Sequence, residues 1–137
     1  PIIVLKRELA FLPLFGWLTR KSGVIAVDRA ASAGALRAML HMADIAKVQD
    51  RAILIFPEGT RVPHGEAPKL QSGFAGLYAR LDMPVVPIAT DAGLCWPRGL
   101  IKHAGVIRLR FGDPIPADLP RKAIEQIVHA EINLYND

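Results

Sequence analysis

The sequence lacks the cysteines and the long apolar runs that mark disulfide-rich, metal-binding or membrane-spanning proteins. There is one cysteine, Cys95, among the 137 residues. This excludes an intramolecular disulfide and any metal site built from several cysteines. The longest stretch without a charged residue is Leu9–Thr19, of 11 residues, whereas a bilayer-spanning helix needs about 20 apolar residues. We therefore expect no transmembrane helix in this chain.

Common catalytic and nucleotide-binding motifs are also missing. The sequence contains neither a GxxxxGK[ST] phosphate loop nor a GxGxxG dinucleotide fingerprint, and neither a GxSxG nucleophile elbow nor an HExxH zinc motif. The histidines are scattered. His41 lies three residues before Asp44 on the polar side of a predicted helix, so we assign it to the surface. We expect no metal ion and no resident cofactor.

The net charge of +4 is unevenly placed. Residues 1–37 contain six basic and two acidic residues, and the rest of the chain is balanced. A local basic region favours a phosphate, an acidic lipid or a nucleic acid, although a solvated basic face has the same composition. Nucleic-acid binding would need basic residues interleaved with exposed aromatic residues, or a known fold signature. The interleaved pattern is only weakly developed here and no such fold signature is present, so we expect no nucleic-acid partner.

Apolar runs of strand length alternate with helical periodicity along the chain. This alternation predicts an α/β fold with a mostly parallel sheet flanked by helices, in a single domain that covers residues 1–137. The expected strands are Ile2–Leu5, Val24–Val27, Ile53–Phe56, Val85–Ala89 and Val106–Phe111. The expected helices are Leu9–Lys21, Ala31–Gln49, one capped by Ser72, and one opened by Asp118 and Pro120.

One segment combines a strand with several reactive groups. Ile53–Phe56 reads as a strand buried on both faces, and Pro57 ends its ladder because proline has no N–H to donate. The next residues then emerge at the carboxyl end of a parallel strand, where α/β folds place their ligand crevice. They offer a carboxylate, a position without a side chain, a hydroxyl and a guanidinium fork: Glu58, Gly59, Thr60 and Arg61.

A second arginine follows another strand in the same way. Val24–Val27 leads into Asp28 and Arg29. If the two strands are parallel neighbours, Arg29 and Arg61 point into one crevice and form a site for a dianion such as a phosphate monoester. Intramolecular pairs, Asp28 with Arg29 or Glu58 with Arg61, fit the spacing equally well.

These residues resemble the glycerolipid acyltransferase family, whose archetype is 1-acyl-glycerol-3-phosphate acyltransferase. Phe56–Arg61 matches the family's FPEGTR block, and Gly23–Arg29 matches the preceding block. Val85–Ala89 is similar to the later VVPVA-type block, and Gly105–Ile115 to the family's tail. The resemblance covers nearly the whole chain, in order.

The resemblance implies that Arg29, Glu58, Gly59, Thr60 and Arg61 bind the glycerol phosphate of a lysophosphatidate acceptor. A histidine of the family's NHxxxxD block would act as general base on the acceptor hydroxyl, which attacks the thioester of acyl-CoA or acyl-carrier protein to give phosphatidate. Val86–Ala89 would shape a pocket or, as an alternative, belong to the core. No HxxxxD occurs in this sequence. We therefore expect an N-terminally truncated domain that is inactive alone and contains no catalytic residue.

The family resemblance also implies a membrane-associated enzyme on the cytoplasmic face. Leu9–Leu18, flanked by Lys6, Arg7, Arg20 and Lys21, could lie on an anionic membrane surface or simply face the core. The alternative function is a non-catalytic anion- or phospholipid-binding domain. An NHxxxxD block immediately upstream in the gene would favour the enzyme.

Overall fold

Two compact units, Pro1–Phe56 and Pro57–Asp137, make up the chain. The computed structural model describes residues 2–6, 25–27 and 32–136. The predicted helix Leu9–Lys21 lies outside these residues, as do Asp28 and Arg29. None of the helices in the described part has the length and apolar character that crossing a bilayer requires. That the units form one domain stays a prediction.

β1 (Ile2–Lys6) is the central strand of a three-stranded sheet in the first unit. β2 (Ile25–Val27) pairs with it on one side and β3 (Ile53–Leu54) on the other, both in parallel. Ile2 is fully buried and donates its N–H to the carbonyl of Ala52 over 2.7 Å. The carboxyl ends of β2 and β3 therefore lie at the same edge, as predicted. The register pairs Val4 with Ile25 and Ile2 with Ile53.

α1 (Ser32–Val48) connects β2 to β3 and confirms the helix expected over Ala31–Gln49. Ala43 and Ala46 are buried on it, and His41 is exposed, as its place on the polar face predicts. Small alanine side chains let a helix approach its neighbours closely, and α1 contacts β2. α1 is thus the crossover that makes the two strands parallel.

The strand predicted over Ile53–Phe56 is shorter and more exposed than expected. Only Ile53 and Leu54 pair with β1, Ile55 is half-buried, and Phe56 is 59% exposed. Among the described strands, β3 has a neighbour on one side only. A continuous apolar run predicts a strand, but it does not show whether that strand is central or at an edge.

The second unit is built from helices and a two-stranded ribbon. α2 and α4 pack against each other, and α4 also contacts β4. The elements in order are α2 (Ser72–Leu81), β4 (Ile88–Thr90), α3 (Ala92–Cys95), β5 (Leu109–Phe111) and α4 (Arg121–Ile132).

The core of this unit lies between α2 and α4. Phe74, Leu77 and Tyr78 are buried at helical spacing on α2, and Ile124 and Val128 are buried on α4, which contacts α2. The rings of Phe74 and Tyr78 stack with their centroids 6.5 Å apart. Ser72 was expected to cap α2, but it is the first helical residue, and the N-cap is Gln71 without a side-chain hydrogen bond. α4 begins directly after Pro120, close to the predicted start.

β4 and β5 are antiparallel, with Ala89 opposite Arg110. The expected strand Val85–Ala89 is interrupted: Val85 forms an isolated bridge with Ile115, and regular pairing begins only at Ile88. Pro87 lies between them and donates no hydrogen bond, although its carbonyl accepts one from the Gly112 N–H over 2.9 Å. The ribbon is the antiparallel part of a fold whose other described sheet is parallel.

The predicted half-buried strand Val106–Phe111 is wrong in burial and in length. Pairing covers Leu109–Phe111 alone, and every residue from 101 to 111 is exposed. β5 pairs only with β4, and within the described residues no further layer covers it. Alternation of apolar and polar residues predicts extended backbone, but what lies over the apolar face is decided by the rest of the fold.

Replacing Tyr78 with phenylalanine should destabilise the second unit by about 1–2 kcal/mol, because two polar groups then lose a partner. The Tyr78 hydroxyl donates to the carbonyl of Pro116 and accepts the N–H of Leu119 over 3.1 Å. Urea unfolding of Tyr78→Phe measures the loss. Tyr135→Phe is the matched control, since Tyr135 contacts Arg108 through its ring. Equal stability of Tyr78→Phe and the unmodified protein would contradict the expected role of the hydroxyl.

Candidate functional site

Pro57–Arg61 forms a turn that is fixed against the start of α2. The Pro57 carbonyl accepts the N–H of Gln71 over 2.8 Å. Gly59 has φ +73°, and a Cβ at this position would come within 2.7 Å of Gln71 Cγ. Both the left-handed backbone and the close approach require glycine here. The sequence predicts a position without a side chain at residue 59, but no local pattern indicates that Gln71 is its neighbour.

Glu58 is half-buried beside α4. Burial raises the pKa of its carboxyl group, and the positive charge of His129 opposes that rise. His129 Nε2 lies 3.1 Å from the carbonyl oxygens of both Ala67 and Pro68, so this nitrogen carries a proton and donates to them. The histidine thereby fastens the loop after the turn to α4 and places its imidazole near the carboxylate.

Thr60 is held by an arginine from a distant loop. Arg98 Nη2 donates to Thr60 Oγ1 over 2.6 Å, and this brings a second guanidinium group to the turn. Arg61 itself is exposed and, among the described residues, makes no hydrogen bond or ion pair. The intramolecular Glu58–Arg61 pair that the sequence left open is therefore not formed. The Arg61 guanidinium remains available to a ligand.

The structure brings together four of the five predicted site residues, Glu58 to Arg61, in one turn. Arg29, the fifth, lies outside the described residues, so a phosphate shared by Arg29 and Arg61 stays a prediction. Sequence reasoning missed Arg98 and His129. Each is more than 35 residues from the turn along the chain, and no local pattern connects them to it. Across the described ranges, no three histidine, cysteine or acidic side chains are arranged to hold a metal ion.

A buried carboxylate connects the two strands of the ribbon. Asp91, almost fully buried after β4, accepts the Arg108 N–H over 2.7 Å and the Arg108 Nε over 2.6 Å. These two bonds hold the pKa of Asp91 below its ordinary value, and the bond from the backbone N–H has the larger effect. The Arg108 guanidinium also lies over the ring of Tyr135, 5.1 Å from its centroid. The pair closes the base of the loop that carries Arg98.

A shallow cleft of about 360 Å³ lies between the end of β5 and α4. Arg110, Asp113 and Glu131 bring charges of both signs to it, and no residue of the Glu58–Arg61 turn lines it. The cleft is therefore separate from the turn, which contains four of the predicted site residues and is taken as the candidate site.

Comparison with known proteins shows the family of the chain. A family model described as "Acyltransferase" matches residues 1–91, which include the turn. The chain belongs to the acyltransferase family. It is 39% identical to a 1-acyl-sn-glycerol-3-phosphate acyltransferase of Pseudomonas aeruginosa over 84% of its length, and 31% identical to one of Limnanthes alba over the same share.

The acyltransferase fold is also seen in a solved structure. The 1-acyl-sn-glycerophosphate acyltransferase PlsC of Thermotoga maritima superposes with a TM-score of 0.72 and 23% identity, over 97% of this chain and 56% of PlsC. The likeness confirms the predicted α/β fold. The chain covers 45% of the Pseudomonas aeruginosa acyltransferase and 42% of the Limnanthes alba one, which is less than half of either.

Gly59→Ala should destabilise the turn by about 1–2 kcal/mol through the left-handed backbone alone, with a further loss from the contact with Gln71. Gly65→Ala separates the two effects, because Gly65 has φ +87° but nothing within 4 Å of a Cβ. Urea unfolding of both variants measures the difference. Adding Gln71→Ala should bring Gly59→Ala to the level of Gly65→Ala. If Gly59→Ala and Gly65→Ala are equally stable, the close approach of Gly59 to Gln71 does not contribute to stability.

Asp91→Asn should lower the melting temperature and flatten its dependence on pH in acid. Because the folded pKa of Asp91 lies below its unfolded value, the folded state binds fewer protons. Its contribution is complete above about pH 4, the ordinary range of an aspartate, and is lost as the pH falls through the lower folded pKa. Melting curves from acid to neutral pH measure this effect. Asp118→Asn, at an exposed position, is the control and should leave the pH profile unchanged.

Proposed function

We propose that this chain is the acceptor-binding part of an enzyme that acylates lysophosphatidate to phosphatidate in phospholipid synthesis. The support is the match to the acyltransferase family together with relatives named for this reaction. In that reaction the acceptor hydroxyl oxygen forms a C–O bond with the thioester carbonyl carbon and the C–S bond breaks. The proton that the hydroxyl loses ends on the departing thiolate, which leaves as the free thiol.

The observation that carries the proposal is the exposed guanidinium of Arg61, which pairs with no other described residue, on a turn that Gln71 and Arg98 hold in place. A phosphate monoester has almost two negative charges near neutral pH, and an arginine fork binds it bidentately. Arg98, held at Thr60, offers a second fork within the same turn region. Arg29 would add a third if it meets them as the sequence predicts.

Glu58 has a different role in this proposal. Since it forms no ion pair with Arg61, its half-buried carboxylate is free to accept a hydrogen bond from the glycerol backbone of the acceptor. Gly59 leaves room for that approach. No residue of this chain is assigned the general base, because the sequence contains no HxxxxD.

The acyl donor in this proposal is acyl-CoA or acyl-carrier protein, and no resident cofactor is needed. Both donors and the lipid acceptor meet at the cytoplasmic face of a membrane. We therefore propose that the protein acts on an anionic membrane surface at that face. The basic residues of the first quarter of the chain are suited to such a surface.

Arg61→Ala should weaken binding of a short-chain lysophosphatidate about tenfold to a hundredfold, since charge-assisted hydrogen bonds contribute about 1.5–3 kcal/mol each. Arg61→Lys should restore only part of the affinity, because lysine has no fork. Isothermal titration calorimetry with this chain measures both. Arg121→Ala is the control, as Arg121 is exposed and pairs with Glu125 on α4.

Acyl transfer itself is tested with the protein expressed from its complete gene. Thiol release from acyl-CoA that depends on lysophosphatidate and on Arg61 supports the enzyme. Lysophosphatidate binding without thiol release favours the non-catalytic phospholipid-binding domain. Unchanged affinity in Arg61→Ala contradicts the assignment of this turn to the acceptor phosphate.

A further inference from the structure

Exposed apolar side chains are concentrated in one segment of the second unit. Eight of the thirteen large apolar side chains that are exposed in the described part lie in residues 94–111, which we call the apolar loop. Leu100 is 99% exposed, Ile101 75%, Val106 83% and Trp96 59%. A group of this size is more than the scattered exposed residues that soluble surfaces normally carry, and it indicates an interaction site.

The charge of the apolar loop is of one sign. Residues 94–111 contain no aspartate or glutamate, and they include Arg98, Lys102, Arg108 and Arg110. Arg108 is neutralised by Asp91, which lies outside the loop. Arg98 and Lys102 bond only to neutral oxygens, Thr60 Oγ1 and backbone carbonyls. The loop therefore presents apolar side chains and uncompensated positive charge together.

The tip of the apolar loop, residues 96–102, is held together by Lys102. Its Nζ donates to the carbonyl oxygens of Pro97 and Gly99 over 2.8 and 2.7 Å, and lies 5.0 Å from the centre of the Trp96 ring. These contacts satisfy carbonyl groups that would otherwise lose water when the tip is covered. The tip is thus prepared for an environment with little water.

We propose that the apolar loop enters the surface of a bilayer that contains anionic lipid. This deepens the proposed function, on which it rests, by naming the part of the chain that contacts the membrane. Trp96, Leu100 and Ile101 would enter the boundary between headgroups and acyl chains, where indole rings are favoured. Lys102 would meet lipid phosphates.

The composition of the loop favours a bilayer over a protein partner. Interfaces between proteins are depleted in lysine at their centre, whereas segments that lie in a membrane surface combine lysine and arginine with tryptophan and leucine. Lys102 contacts Trp96 at the tip itself. A second copy of this chain or another part of a longer protein would cover the apolar residues equally well, but it would gain nothing from this uniform charge.

The proposal is tested by sedimentation of this chain with vesicles of phosphatidylcholine and with vesicles containing about 30% phosphatidylglycerol. We expect binding to be about tenfold tighter to the anionic vesicles. Leu100→Ser with Ile101→Ser should weaken it about tenfold or more. The matched control is Val48→Ser, which removes a side chain that is 88% exposed on α1.

The charge is tested separately. Lys102→Gln should weaken binding to anionic vesicles about fivefold and leave binding to phosphatidylcholine unchanged. Lys69→Gln, at an exposed position outside the loop, is the control. Equal effects of the two lysine variants would show that only the net charge of the chain matters, which would overturn the role of the loop.

Tryptophan fluorescence locates the contact. The chain has two tryptophans, so Trp17→Phe leaves Trp96 as the reporter. A blue shift of its emission on anionic vesicles, with quenching by brominated acyl chains, is expected. If the emission does not change while the protein still sediments with vesicles, the membrane is bound elsewhere and the proposal is wrong.

Two further outcomes also overturn the proposal. Leu100→Ser with Ile101→Ser could convert a dimer to a monomer without changing vesicle binding, in which case a second copy covers the loop. In the protein from the complete gene, vesicle binding could be insensitive to these substitutions although this chain alone responds, which would assign the loop to an internal contact. Failure of the proposed function is seen separately, as unchanged lysophosphatidate affinity in Arg61→Ala. The loop variants should change vesicle binding and leave that affinity unchanged.

Discussion

The Asp91 carboxylate accepts two hydrogen bonds from Arg108, and the long connection between β4 and β5 is closed by them. The chain leaves the end of β4 at Asp91, passes through most of the apolar loop and returns at Arg108, where β5 begins. A buried carboxylate without these donors would be costly, so the two ends of the loop are joined wherever the unit is folded. Because the pKa of Asp91 is lowered, the join holds at neutral pH and weakens only in acid.

The candidate site is supported from three separate elements. Gln71 holds the turn from the start of α2, His129 fastens the loop after it to α4, and Arg98 reaches Thr60 from the apolar loop. The backbone of the turn therefore needs little further ordering when phosphate binds, and the main entropic cost is that of the exposed Arg61 side chain. The Thr60–Arg98 hydrogen bond also joins the site directly to the apolar loop, which we assign to the membrane. The proposed sites for the lipid headgroup and for the bilayer surface are thus neighbours in space although they are distant in sequence.

Sequence reasoning succeeded where the physics is local. The helical periodicity of α1 and α2 follows from residues close together in the chain, and both helices are confirmed. It failed where burial depends on neighbours that are distant in sequence. The run Ile53–Phe56 was predicted to be buried on both faces, but its residues are half-buried or exposed, and β3 pairs on one side only among the described strands. β5 was predicted to be half-buried, but it is exposed. Arg98 and Asp91 were missed for the same reason, since their partners are 38 and 17 residues away.

The Tyr78 hydroxyl has a consequence for motion as well as for stability. It receives the amide hydrogen of Leu119, two residues before α4, while its ring is buried in the core of the unit. That amide is therefore protected from exchange with solvent deuterium until the core itself opens. The turn between Pro116 and α4, which has the composition of a mobile surface connection, is thus coupled to cooperative unfolding of the whole unit. Exchange at this one position reports the opening of the core.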